Sequence, residues 1–188
     1  MNNEDRRIRK TRAALRNALT ELIGEKELRA ITIRELSERA DVHRATFYAH
    51  YEDIYDLYHQ MEDDILKDID SIVQIDPNKS YEALFRTMID YFHDNKAFCR
   101  MMFGEYASVT FRDRVSKLLE EKYLRICLFG GRFEAITEER RFQATYHIQG
   151  FLALIGRWIA SEYDHPIEEI GDIIIRLNDN MNRHFMGF

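Results

Sequence analysis

Apolar residues along this chain recur at helical spacing, and no run alternates at the period of a half-buried strand over a useful length. Ile8, Leu15, Leu19, Leu22 and Ile23 mark the inner stripe of a first helix that runs to about Gly24. A connection from Gly24 to Ala30 leads into two short helices between Thr32 and Tyr51. From Asp53 to about Val73 the set Ile54, Leu57, Tyr58, Met61, Ile65 and Ile69 predicts a longer helix, and Asp76-Pro77-Asn78 breaks the chain after it. Ser80 to about Lys96 is another, carrying Leu84, Phe85, Met88, Ile89 and Phe92. The aromatic, Met-rich run Ala97 to Phe103 ends at Gly104, and Ser108 to Phe129 stops at Gly130-Gly131. Thr137 to Tyr163 bears two stripes, Ala144, Ile148, Leu152, Ile155 and Ile159 on one and His147, Phe151, Leu154 and Trp158 on the other. A helix apolar on two sides is buried on two sides. Past Pro166, which suits a first helical position, Ile167, Ile170, Ile174, Leu177 and Met181 repeat at 3, 4, 3, 4, the spacing of a packing seam. With two prolines and eight glycines in 188 residues, the chain reads as all-α.

Thr32 to Tyr51 is the most specific stretch. Thr32 can cap a helix while Glu35 reaches back to its backbone, the capping-box spacing. Ile33, Leu36 and Ala40 share one face, and Ser37 is small where a crossing helix must approach. Asp41 stands at the turn, where the backbone must go left-handed and Asp is one of the few side chains to tolerate it. Val42, Phe47 and Tyr51 re-enter the core, leaving His43, Arg44, Thr46, Tyr48 and His50 facing outward. Two helices joined by such a turn, the second with a polar face, have the form of a helix-turn-helix.

The phrase formed by Thr32, Ile33, Leu36, Ser37, Ala40, Val42, Thr46, Phe47, Tyr48, His50 and Tyr51 closely resembles the DNA-binding domain of the TetR family of bacterial transcriptional regulators. The resemblance implies a three-helix helix-turn-helix head over residues 1–52 and a larger helical body for ligand binding and dimerisation over residues 53–188. It implies a homodimer that binds a palindromic double-stranded DNA operator, acts as a repressor and is released by a small-molecule effector. Arg6, Arg7 and Lys10 are then expected at phosphates, where cations replace condensed counterions. Thr32 and Arg34 would join them at the first short helix. On the reading helix His43, Arg44, Ala45, Thr46, Tyr48 and His50 would face the groove, with Arg44 able to donate two bonds to guanine. Two departures stand out. Asp41 occupies a turn position where many relatives carry Gly, and Asp53-Ile54 stands where relatives often carry a phosphate-binding Lys.

Charge changes the picture by its distribution. The chain has a formal net charge of -6, yet residues 1–51 hold eleven Lys/Arg against eight Asp/Glu, and the remainder sixteen against twenty-five. A cationic head on an acidic body suits a local DNA-binding face.

The two C-terminal helices carry more apolar surface than a small domain needs. Ile148, Leu152, Ile155, Ile159, Ile170, Ile174, Leu177 and Met181 are expected at a dimer interface, a four-helix bundle with two helices from each subunit, the alternative being purely internal packing. By resemblance, Tyr91, Phe98, Met102, Tyr123, His147, Phe151 and Trp158 are candidate liners of an effector cavity, although such residues at helical spacing also serve as plain core. The other reading is an adaptor whose body binds a protein partner. Catalysis has no support: the chain lacks GxSxG, Walker, GxGxxG and HExxH patterns. Cys99, Cys127 and the seven histidines have no metal-ligand spacing, so no metal or cofactor is expected. A polar, charged N-terminus and the lack of any apolar run near 20 residues read as a soluble, cytoplasmic protein without a membrane span.

Overall fold

Thr32 caps the first short helix through its side chain, and Glu35, four residues from the end of that helix, is recruited elsewhere. Glu35 N–H donates to Thr32 Oγ1 at 3.2 Å, as the capping pattern requires. The return bond does not form, because the Glu35 carboxylate takes Lys26 Nζ at 2.6 and 2.8 Å. A charge-assisted pair with a neighbouring ammonium outcompetes a bond to a neutral amide. One half of the predicted box is thus replaced by an ion pair to Lys26, the residue that follows the preceding helix.

The computed structural model describes residues 3–73, 81–129 and 134–186, with side chains for 5–73, 82–95, 97–128 and 134–179. The breaks expected at Asp76-Pro77-Asn78 and Gly130-Gly131 lie outside the described residues. Among those described there are nine α-helices and no strand. They are α1 (Asn3–Glu25), α2 (Ile33–Arg39), α3 (Arg44–Tyr48), α4 (Ile54–Ile72), α5 (Tyr81–Asp94), α6 (Lys96–Phe103), α7 (Val109–Phe129), α8 (Glu138–Ala160) and α9 (Ile167–Met186). A single 3-10 turn, Leu28–Ala30, lies between α1 and α2.

By packing the chain forms two units, Met1–Lys67 with Arg100–Phe111 and Asp68–Cys99 with Arg112–Phe188. In the first, α1 packs on α2 and α2 on α3. Leu15, Leu19 and Leu22 of α1, Leu36 of α2, Phe47 of α3 and Leu57 of α4 lose all their solvent exposure. Arg39 ties α2 to α1 through Glu25 at 2.8 Å and Glu21 at 3.4 Å. Ile8, placed on the inner stripe by periodicity, is 36% exposed, so α1 begins well before its packed part. Gly104 is required at the end of α6: a Cβ there would collide with the Arg100 carbonyl that its own N–H bonds.

In the second unit α5 packs against both α8 and α9, which also pack on each other. Gly171 of α9 lets α5 come close, since a Cβ would meet Arg86 Nη1 at 3.3 Å. A run of rings fills the centre. Tyr91 lies 5.2 Å from Phe98, Phe98 stacks on Phe92 at 4.9 Å, and Phe151 lies between Phe92 at 6.0 Å and Phe85 at 5.1 Å. Tyr123 extends the run from Phe85 to His147. The α8 helix stops at Ala160, three residues short of the predicted Tyr163, because Glu162 and Tyr163 take φ of 56° and 62°. Left-handed backbone in two successive non-glycine residues ends a helix and is strained. Tyr163 is held there against Trp158, with ring centroids 5.0 Å apart.

Candidate nucleic-acid interface and regulatory body

The turn between α2 and α3 is made by Asp41, whose φ of 53° is the left-handed conformation expected of it. Asp41 N–H bonds Glu38 O at 3.3 Å, and Val42 N–H returns to Ser37 O at 3.0 Å, reversing the chain within four residues. Ser37, only 2% exposed, is small at this crossing. His43 caps α3 with extended backbone and without a side-chain bond, so its imidazole is not committed to the helix it starts. Thr46 and Phe47 N–H groups bond the His43 carbonyl, and Phe47 is fully buried. That fixes the rotation of α3 and leaves His43, Arg44, Ala45 and Tyr48 exposed, with Thr46 and His50 half-buried.

The remaining predicted contacts divide. Arg6, Arg7 and Lys10 are exposed on the first turns of α1. Thr32 is exposed but accepts the Glu35 amide, and Arg34 is tied along α2 to Glu38 at 2.8 Å. An exposed pair of this kind contributes little and exchanges readily for a phosphate.

The start of α4 is closed by acids. Asp53 Oδ1 accepts Asp56 N–H at 2.8 Å, and Asp56 Oδ2 accepts Glu52 N–H at 3.0 Å. A bond from Gln60, with that from Glu52 N–H, holds the Asp56 carboxyl below its usual range. Ile54, in the region where relatives often carry Lys, is buried.

In the second unit four of the eight expected dimer residues go inward. Ile148, Leu152, Ile155 and Ile174 are at most 6% exposed, consumed by the core that α8 and α9 share with α5. Ile159 and Ile170 are half-buried, Leu177 is 47% exposed, and the side chain of Met181 lies outside the described residues. Ile148, Ile155 and Ile174 are therefore interior residues of one protomer. Besides Leu177, the outward apolar residues of α8 and α9 include Phe142 at 70% and Tyr146 at 64%, one turn apart on α8. With Gly150, Leu154 and Leu177, Tyr146 borders a groove of about 550 Å³. Periodicity could have found Phe142 and Tyr146 as an i, i+4 aromatic pair opposite the isoleucine stripe; the denser stripe masked the signal.

The expected cavity liners do not form one group. Met102 belongs to the first unit, whereas Tyr91, Phe98, Tyr123, His147, Phe151 and Trp158 belong to the second. Phe98, Tyr123, Phe151 and Trp158 are at most 2% exposed, and burial above all pushes the half-buried Tyr91 phenol up to about 12. His147 Nδ1 donates to the Asn178 side-chain oxygen, while Asn178 Nδ2 donates to Ile174 O at 2.8 Å. That buried pair also reaches the floor of the α8–α9 groove. Among the described residues no group of His, Cys, Asp and Glu could hold a metal ion, and no helix is long and apolar enough to cross a membrane.

The pattern of bacterial regulatory proteins of the tetR family matches residues 15–61, and that of a transcriptional regulator C-terminal region matches residues 79–180, more than half of the chain. The chain belongs to the TetR family of bacterial transcriptional regulators. Solved structures agree in fold. A TetR transcriptional regulator from Streptococcus agalactiae 2603V is 21% identical over 93% of this chain and 97% of its own, with a TM-score of 0.63. The dihydroxyacetone kinase operon activator DhaS is 15% identical, over 92% and 96%, at 0.62. FadR from Bacillus subtilis, in complex with stearoyl-CoA, is 12% identical, over 88% and 96%, at 0.61. No curated protein matches the chain in sequence. As a TetR-family regulator, this protein has a helix-turn-helix head for DNA on a helical body, and the predicted all-α architecture is the observed one.

Proposed function

We propose that this TetR-family protein is a homodimeric repressor that binds a palindromic operator through α3 and is released by a small-molecule effector. The observation that carries the reading is the division of α3, with Phe47 buried and His43, Arg44, Ala45 and Tyr48 left outside on a helix short enough to enter a major groove end-on. Thr46 and His50 flank that face. Arg6, Arg7 and Lys10 supply backbone grip, with Thr32 and Arg34 at the start of α2. Reading is assigned to residues 1–52, and dimerisation and effector response to 53–188.

The second copy docks on the outward face of α8 and α9. Phe142 and Tyr146 are aromatic anchors, and Gly150, beside which a Cβ would meet nothing within 4 Å, leaves the neighbouring groove open to receive them. A patch that carries both knob and hole suits a two-fold, self-complementary interface. The effector site is placed in the ring cluster of the second unit. Because those rings are closely packed, a ligand enters only by shifting side chains. It favours release only to the extent that it prefers the DNA-incompetent conformation. FadR from Bacillus subtilis offers a precedent in the same fold for an acyl-CoA ligand.

The test is a titration of labelled DNA from upstream of this protein's own gene, at two salt concentrations, against a scrambled duplex. Salt-sensitive binding with a preference of about a thousandfold is expected. Equal weak binding to both duplexes, followed by a random-sequence selection that enriches nothing, defeats the reading. A reporter driven by the bound promoter then separates repression from activation, the role named for DhaS.

A further inference from the structure

Arg44 stands apart from the cations that surround it in the chain. From residue 26 to residue 67 every other Lys or Arg faces a carboxylate: Lys26, Arg29, Arg34, Arg39 and Lys67 are each in an ion pair. The Arg44 side chain has no ion pair or hydrogen bond to any of the described residues. It is exposed at the first position of α3. A guanidinium that its own protein leaves uncommitted gives up no partner when it meets an outside acceptor, and its fork suits a pair of them.

The rest of this face is apolar. Ala45, Tyr48 and Ala49 are exposed at i+1, i+4 and i+5 from Arg44, and the Tyr48 hydroxyl is the one polar side-chain group among the three. No Asn or Gln occurs from residue 18 to residue 59. Those amides supply the two-bond pattern that reads adenine, and a carboxylate reads cytosine. Of the carboxylates just before α3, Glu38 is paired with Arg34 and Asp41 lies in the turn, not on the helix. His43 at the cap can give a single bond, which N7 of either purine accepts alike. What α3 presents is therefore one forked donor, the reader of guanine, and an apolar surface, the reader of the thymine methyl.

We propose that each half of the operator is read through one guanine, held at O6 and N7 by Arg44, and through thymine methyl groups packed against Ala45 and Tyr48. Adenine and cytosine are then recognised only through their partners on the opposite strand. This rests on the reading of the protein as an operator-binding regulator. It goes beyond that reading in naming the base chemistry the operator must carry and the side chain that reads each part of it. An Arg44 that merely gripped a phosphate would strengthen binding to all DNA alike, because phosphates carry no sequence.

Random-sequence selection with the full-length protein supplies the operator first. If nothing is enriched, the regulator reading falls and this assignment with it. Given an enriched site, duplexes are remade with deoxyuridine for a thymine, which removes one methyl, or with 7-deazaguanine for a guanine, which removes N7. Each change is made at the same position in both halves. At one thymine position or more, deoxyuridine is expected to weaken binding about fifteenfold, the square of the roughly fourfold worth of one buried methyl. At one guanine position, 7-deazaguanine is expected to weaken it about tenfold or more. The guanine penalty disappears in Arg44→Ala, and a thymine penalty shrinks in Ala45→Gly or Tyr48→Ala, because a contact already lost is not lost again. Each penalty compares two duplexes on one protein, so a change in the variant's stability cancels. An enriched site whose modified duplexes all bind within about twofold of the unmodified one overturns the proposal and leaves the regulator reading intact. Penalties that persist unchanged in the assigned variants overturn it as well, as does an Arg44→Ala protein that loses equally on operator and scrambled DNA. Should the variants fail to fold, the modified duplexes with the unaltered protein decide alone.

Discussion

Phe47 and Tyr48 are neighbours in sequence and opposites in environment: Phe47 is 0% exposed, Tyr48 is 59% exposed, and their rings meet edge-on with centroids 5.6 Å apart. The first holds α3 and the second is presented by it. Truncating each therefore has separable effects. Phe47→Ala is expected to cost about 3–5 kcal/mol of stability, the usual loss for a buried aromatic, visible as a lowered urea midpoint. Tyr48→Ala leaves that midpoint within about 0.5 kcal/mol of the parent. It weakens operator binding instead, by about 1–3 kcal/mol if the phenol meets a base edge. Parental operator affinity in Tyr48→Ala would remove Tyr48 from the interface.

Asp41 combines a strained backbone with a charge close to the reading helix. Asp41→Ala loses the side chain best suited to a left-handed φ and is expected to destabilise the head by about 1–2 kcal/mol in thermal unfolding. Asp41→Gly keeps the turn, changes stability by no more than about 1 kcal/mol, and removes a negative charge. Tighter, still salt-sensitive DNA binding by Asp41→Gly than by the parent is the expected outcome. Weaker binding would show that the carboxylate itself serves recognition.

The outward face of α8 makes the oligomeric state easy to probe, because Tyr146 is 64% exposed and can be changed without touching the protomer core. Tyr146→Glu is expected to keep the parent's helical circular dichroism while sedimenting as a monomer at micromolar concentration. Operator affinity falls with it, since each half-site then binds without the help of the other. A Tyr146→Glu protein that still sediments with the parent would move the interface away from this face.

Cys99 is 3% exposed, its thiol donates to Phe92 O at 2.9 Å, and burial pushes it from 9.0 up to about 11. A group raised in the folded state stabilises fully below its ordinary value, and that contribution disappears as pH rises through the folded one. The melting temperature is therefore expected to start falling above about pH 9, with Cys99→Ala removing the earliest part of the fall. The Tyr58 and Tyr91 phenols, both pushed up to about 12 with burial the main cause, add theirs at higher pH. At neutral pH the rate of Cys99 alkylation should track unfolding; rapid labelling of the native protein would contradict its burial.

Much of the head was legible in residues 32–51 because there the motif specifies its own geometry. Asp41 goes left-handed, Ser37 is buried at the crossing and Phe47 anchors α3. Local pattern failed wherever a distant partner competed. Glu35 abandoned the capping box for Lys26, and Arg16 and Asp64 are 48 residues apart, a pairing no periodicity reveals. In the second unit, spacing located the stripes of α8 but could not tell which of them faces a neighbouring helix of the same chain. Ile148 and Ile155 look like a seam and are core, while Phe142 and Tyr146 look incidental and lie outside. Helix α8 also ran past its true end on paper, since nothing local announces that Glu162 and Tyr163 will turn left-handed.

The acids that close the start of α4 bear on how such a protein finds its target. With Asp53 and Asp56 bound to the backbone there and Ile54 buried, this edge of the head offers phosphates no cation. Affinity for arbitrary sequence comes almost wholly from phosphate contacts. A head with fewer of them dwells more briefly at each wrong position and spends less of its population on the rest of the chromosome. It depends more on the base edges once it arrives. The search is then biased towards hopping over sliding, and occupancy of the true site is set by discrimination rather than by grip.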